Sequence, residues 1–256
     1  MQLPRESGLY YLQSRYYDPN TGRFINADAL VSTGQGFIGN NMFAYCGNNP
    51  VNRLDPSGCV PISVDVIVDE VIIIIKELIA LFKENYEHNS KLDNTAETST
   101  NNRIVNDQQG TTGQNFKYGR HMASWNACET IAIHNAKVLL GMDSSLSKVM
   151  LTCQMLFAMI GDGYFGTNPR AIGRVLKHDG IEYSNVDLSD MTQEGIYIIS
   201  FWNPGVPFHG LHTVAVCYDG TTYTTYNYSG YGQLYYGSPL DYAEFYICGY
   251  YLGGTQ

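Results

Sequence analysis

Cys128 opens an apolar segment, Trp125-Asn126-Ala127-Cys128-Glu129-Thr130-Ile131-Ala132, whose pattern predicts a helix beginning at the cysteine. A thiol in that place faces unpaired backbone N–H groups and the positive end of the helix dipole, which favour the nucleophilic thiolate. Further along, Leu211-His212-Thr213-Val214-Ala215-Val216 reads as a strand, and its histidine could take the proton of a nearby thiol. The next segment, Tyr218-Asp219-Gly220-Thr221, carries the Asp-Gly pair of a two-residue hairpin. With Tyr218 opposite Thr221, Val216 faces Tyr223, Val214 faces Thr225 and His212 faces Asn227, so the imidazole and the amide share one face of the sheet. A three-residue loop would send Asn227 to the other face. Cys128, His212 and Asn227 would then be nucleophile, base and orienting group, the amide oxygen accepting the imidazole N–H and selecting its tautomer. Singly, each has a plainer reading: a packed small hydrophobe, a hydrogen-bonded strand histidine, and a residue where a strand runs into a turn.

The elements that must position these groups can be read from periodicity. Helices are predicted at 127–140, 145–160 and 169–178, the last capped by Asn168 with Pro169 in its first turn. Strands follow at 195–202, 211–218, 221–228 and 244–251, punctuated by Asn203-Pro204-Gly205, Asp219-Gly220 and Tyr231-Gly232. Helices first and an antiparallel sheet afterwards predict an α+β domain over 116–256 that sets a helix-start cysteine against a strand histidine.

Cysteine on a helix, histidine on a strand and asparagine on the next strand, in that order, resemble the papain-like cysteine peptidases, with the flanking text most similar to the bacteriocin-processing type over about 115–253. The resemblance implies Cys128 as nucleophile, His212 as general base and acid, and Asn227 as orienter, with a protein or peptide as substrate and no cofactor. The same constellation supports deamidation or transamidation of a glutamine, and a degenerate copy would be an inactive interaction module. Two positions depart from the family: Met122 stands where a glutamine usually helps bind the oxyanion, and Glu129 stands where glycine often follows the cysteine. The backbone N–H of Cys128 remains as one oxyanion donor, with Asn126, Ser124 and His121 as candidates for the second.

Residues 1–58 differ in texture. Gly8-Leu9-Tyr10-Tyr11-Leu12, Arg15-Tyr16-Tyr17-Asp18-Pro19 and Thr21-Gly22-Arg23-Phe24 are short aromatic strands broken by turn signals, too few to close a core alone. Over about 8–58 they resemble the RHS repeat-associated core, the module that ends the β-shell of bacterial polymorphic toxins and precedes a variable toxin domain. That resemblance implies a delivered effector acting in a target-cell cytoplasm, a cognate immunity protein and the remainder of an RHS shell as partners. It also implies aspartyl self-cleavage after an Asp-Pro-x-Gly-Leu sequence. Asp55-Pro56-Ser57-Gly58 fits, with Cys59 in place of leucine, and the second aspartate maps to Asp28, followed by Ala29.

Between the two regions, 59–86 reads as an amphipathic helix whose charges at Asp65, Asp69, Glu70, Lys76 and Glu77 interrupt any membrane span. Residues 87–115, rich in Asn, Thr, Ser and Gln, read as a polar linker. The net charge of −9 argues against a nucleic-acid partner, whose binding footprint is normally basic. The six cysteines form no Cys-x-x-Cys pair, and His209 and His212 have no partner at metal-ligand spacing, so no metal is expected. The opening Met1-Gln2-Leu3-Pro4-Arg5-Glu6-Ser7 has no apolar signal stretch.

Overall fold

The computed structural model describes residues 8–29, 41–156, 158–160, 166–202 and 210–254. They divide into two units, Met1–Glu77 and Leu78–Gln256.

In the first unit, β1 (Tyr10–Leu12), β2 (Arg15–Asp18) and β3 (Arg23–Phe24) form a three-stranded antiparallel sheet, and β4 (Arg53–Leu54) pairs with β5 (Ile62–Ser63). The aromatic pattern has a packing reason: Tyr17, Phe24 and Tyr45 cluster, with the Tyr17 and Tyr45 rings 4.4 Å apart. Arg15 is buried at the centre, its guanidinium 3.6 Å over the Phe24 ring and paired with Asp28 at 2.9 Å and Asp55 at 3.5 Å. The two aspartates singled out in the sequence therefore converge on one cation. Asp55 also accepts the Cys59 N–H at 3.0 Å, and Arg15 donates to the Gly58 carbonyl.

Helix α1 (Val64–Asp93) begins in the first unit and ends in the second. No helix among the described residues is long and apolar enough to cross a membrane. The apolar residues of its first turns, Val66, Val68 and Val71 to Ile75, are exposed. Burial on this helix begins at Phe82 and continues at Asn85, Asn89 and Asp93.

Residues 87–115, expected to be a polar linker, are instead packed into the fold. The segment is tied to the second unit through polar side chains: Asn89 exchanges hydrogen bonds with the main chain of Lys117, and Asp93 accepts from the Thr100 and Ser147 N–H groups. Val105 joins the core, and its N–H and C=O are both held by Asn135. Gly113, in the short helix α2 (Thr111–Asn115), lies so close to the Gln108 carbonyl that an added Cβ would overlap it.

The second unit is α+β. After the β6–β7 pair (Lys117–Tyr118, His121–Met122) come α3 (Ala123–Asn126), α4 (Cys128–Leu139), α5 (Leu146–Met155) and α6 (Ile172–His178). Asn168 caps the turn before α6 by accepting the Arg170 N–H at 3.0 Å. Then β8 (Ser184–Asn185), β9 (Gly195–Trp202), β10 (Leu211–Tyr218), β11 (Tyr223–Tyr226), β12 (Tyr235–Tyr236) and β13 (Phe245–Tyr251) form one antiparallel sheet in the order β12-β11-β10-β9-β13-β8. The Asn203-Pro204-Gly205 turn and His209 lie outside the described residues. Both faces of the sheet are covered. Ile196, Ile198 and Ala215 pack with Ile131, Ala132 and Met150 of α4 and α5, while Tyr197, Ile199, Phe201, Val214 and Val216 pack with Met191 and Ala243.

Candidate active site

Cys128 is the first residue of α4, and its helix packs on β10. His212 pairs with Phe201 across β9–β10, and their rings meet edge to face at 5.8 Å. Strand alternation puts His212 on the face of Val214 and Val216, opposite the face that receives α4. Near the His212 end of β10, β11 pairs only with residues 215–218 and so does not cover 211–214. Cys128 and His212 both line one cleft of about 550 Å³, together with Gln108, Gln109, Trp125, Phe201, Tyr228 and Tyr242.

The hairpin register differs from the sequence expectation. Tyr218 pairs with Tyr223 and Val216 with Thr225, so the loop is residues 219–222 rather than Asp-Gly alone. The cause is local: the Asp219 carboxylate accepts from the Thr221 N–H, the Thr222 N–H and the Thr221 hydroxyl, which widens the turn. His212 is therefore not opposite Asn227. Asn227 instead follows the end of β11 in the left-handed region, φ 57°, and is fully buried.

That backbone twist changes how the imidazole is oriented. His212 Nε2 lies 2.9 Å from the Asn227 carbonyl oxygen and 3.1 Å from that of Tyr228. Carbonyls only accept, so Nε2 carries the proton and Nδ1 keeps its lone pair. The orienting group is the main chain of Asn227, not its side chain. The Asn227 amide nitrogen donates to Gln108 Oε1 at 3.0 Å, its N–H donates to Asn106 Oδ1 at 2.8 Å, and its Oδ1 has no hydrogen-bond partner among the described residues. Burial lowers the His212 pKa, with the two carbonyls opposing the shift, so the ring rests neutral.

Cys128 is 7% exposed. Its Sγ contacts two acceptors, Glu129 Oε2 at 3.4 Å and the Leu211 carbonyl at 3.9 Å, and no hydrogen bond joins it to His212 among the described residues. Burial first and the Glu129 carboxylate second raise the thiol pKa well above its ordinary value, while the Thr213 N–H opposes them. The helix start alone does not produce a resting thiolate, because desolvation outweighs the dipole.

Of the oxyanion candidates, Ser124 lines the cleft, and His121 stacks on the cleft residue Trp125 at 5.7 Å. Asn126 is not part of the cleft wall; its amide donates to the Tyr118 carbonyl at 3.1 Å. Gln108 and Gln109 were missed by sequence reasoning because they fall in the supposed linker. Gln109 donates to the Ser124 carbonyl at 2.8 Å and bonds the Gly230 carbonyl through its N–H at 2.8 Å, tying residues 106–109 to the loop that orients His212.

Fold and site together define an α+β unit with a buried cysteine and a neutral histidine in one cleft, preceded by an aromatic β-module. Among known proteins, the chain is similar over short stretches to bacterial toxins and nucleases. It is 42% identical to the tRNA nuclease WapA of Bacillus subtilis over 57 residues, 22% of this chain and 2% of that protein. It is 44% identical to the toxin protein Tse5 of Pseudomonas aeruginosa over 55 residues, 22% of this chain and 4% of that protein. A third relative, the putative uncharacterized protein YlbH of Escherichia coli, is 46% identical over 66 residues, 26% of each chain. No protein-family model matches the chain. The chain spans only a small part of the first two relatives, and matches of this length cover less than half of Leu78–Gln256.

Proposed function

We propose that the chain is the C-terminal part of a bacterial RHS-type polymorphic toxin and that Leu78–Gln256 is its toxin domain, a papain-like cysteine hydrolase acting on a protein or peptide. The observation that carries this reading is the single cleft lined by Cys128 at a helix start and by His212 with its Nε2 proton committed to main-chain carbonyls. Nδ1 is then the free base. As the Cys128 sulfur bonds to a substrate carbonyl carbon, its proton passes to Nδ1 and the carbonyl electron pair moves to oxygen, where the Cys128 N–H supplies one donor. The imidazolium returns the proton to the leaving amine, and water hydrolyses the acyl-enzyme. A glutamine side chain in place of a peptide bond would give deamidation by the same steps.

The relatives named as tRNA nucleases raise a second reading, but the chemistry of the cleft favours the first. Its described lining residues include no lysine or arginine, and the whole chain carries −9, whereas a phosphate backbone is bound through cations. Delivery into a target cell and a cognate immunity protein belong to the same proposal.

The test is growth of bacteria expressing the full chain, its Cys128→Ala form or its His212→Ala form. Either substitution should abolish toxicity while the purified protein keeps its circular dichroism. Toxicity that survives Cys128→Ala, or degradation of cellular RNA by both forms, would overturn the hydrolase reading.

A further inference from the structure

Glu129 is a buried acid that no step above uses. It is 1% exposed at the second position of α4, where a carboxylate ordinarily reaches out from the helix N-terminus into water. Here it turns inward and accepts from Cys128 Sγ at 3.4 Å. It does not line the cleft. Gly166, at φ 74°, closes over it; a Cβ there would stand 3.3 Å from Glu129 Oε2 and 2.9 Å from the Asn126 carbonyl.

We propose that Glu129 is a positioning residue that holds the proton of the nucleophile: its carboxylate accepts the Cys128 S–H and keeps the sulfur a thiol turned away from His212 until an acyl substrate occupies the cleft. Three observations support this. The sulfur has two acceptors in reach, Glu129 Oε2 and the Leu211 carbonyl, that can take its S–H, with the Thr213 N–H as an opposing donor. The imidazole already has its N–H committed elsewhere and rests neutral. Among the described residues, the titratable groups that feel the carboxylate from α4, β6, α5 and β13 are Cys128, Tyr118, Cys153 and Cys248, none of them a cation and all with pKa values raised and therefore neutral near pH 7. Burial raises the Glu129 pKa to about 7, with the Cys128, Thr167 and Thr213 hydrogen bonds opposing the rise.

In the reaction the S–H bond breaks, Nδ1–H of His212 forms and the sulfur bonds to the acyl carbon, so Glu129 exchanges no atom with the substrate. It sets how readily the thiol gives up its proton. The inference rests on Cys128 being the nucleophile of the proposed hydrolase, yet its test does not need turnover.

The experiment is alkylation of the full chain by iodoacetamide across pH, with mass spectrometry of the Cys128 peptide, for the wild type and Glu129→Gln. Removing the neighbouring negative charge should move the Cys128 alkylation profile at least one pH unit lower, about a tenfold rise in labelling rate at a fixed pH on the rising limb. A profile that stays put or moves to higher pH would overturn the inference. Should Glu129→Gln fail to fold, Cys128→Ala provides the reciprocal measurement by infrared spectroscopy. Loss of the S–H donor should raise the pH at which the buried protonated-carboxyl band of Glu129 disappears, and an unmoved band would overturn the inference equally. Toxicity surviving Cys128→Ala alongside a shifted alkylation profile would refute the hydrolase and leave the Glu129–Cys128 coupling standing.

Discussion

Burying Glu129 has a consequence for folding that can be measured apart from any activity. Its pKa rises from 4.5 to about 7 in the folded chain. Between those values the unfolded chain releases a proton that the folded chain keeps, so the contribution is fully present below pH 4.5 and is lost as pH climbs to about 7. At about 1.4 kcal/mol per pKa unit, the loss is on the order of 3 kcal/mol. That is a large fraction of the stability of a typical domain. Glutamine has no such titration, so Glu129→Gln should remove this slope. His134 works in the opposite sense. Buried against Ser144 and the Arg103 carbonyl, its pKa falls from 6.5 to about 4, so stability is lost as pH drops through that window. Because His134 is present in both proteins, it cancels in the comparison. Urea unfolding followed by tryptophan fluorescence suits the measurement, since Trp125 and Trp202 both lie in Leu78–Gln256. From pH 4 to pH 8 the wild type should lose about 3 kcal/mol relative to the variant. Parallel curves for the two proteins across pH 4.5 to 7 would refute the burial argument.

Asn227→Gly should leave the His212 tautomer unchanged, because the carbonyl that orients the ring is kept and glycine tolerates φ 57°; nitrogen-15 shifts of the imidazole would expose a change. Asn227→Ala should cost about 3 kcal/mol, from left-handed strain and the loss of the amide that holds Gln108, and a cost under about 1 kcal/mol in urea unfolding would contradict it. In the first unit, Arg15→Ala removes the cation between the buried Asp28 and Asp55 carboxylates and should destabilise the three-stranded sheet by about 3 to 5 kcal/mol. Hydrogen exchange at the amides of Tyr10–Leu12 and Arg15–Asp18 would report it, and unchanged protection would count against the ion cluster as the centre of that unit.

What the sequence made legible follows from which signals are local. The apolar periodicities of α4, β9 and β10 were read at nearly their observed bounds, since each buries a continuous face against a two-sided sheet. The hairpin register was not, because Asp219 decides the loop width through three side-chain hydrogen bonds that compete with the two-residue turn. The displacement is even, so the side chains kept their faces while their opposite numbers changed. The linker reading failed for a related reason. Asn89, Asp93 and Gln108 are buried through hydrogen bonds to main chain and side chains, and hydrophobic patterning cannot see polar packing.

The site shows the same division. A helix-start cysteine and a strand-start histidine are visible as text, and the structure brings both to one cleft. Their protonation is not, because it depends on what distant segments do: carbonyls that a left-handed Asn227 turns toward Nε2, and Gly166, which packs against the Glu129 carboxylate. Glu129 is one residue from Cys128, and from spacing alone it reads as a solvated charge that complements the helix dipole. Enclosed, it does the reverse of what the dipole does, pushing the thiol up rather than down. The thiol of this cysteine is therefore set by burial first and by one buried carboxylate second, both acting against the helix N-terminus, and the Cys128 alkylation profile of Glu129→Gln measures the carboxylate's share.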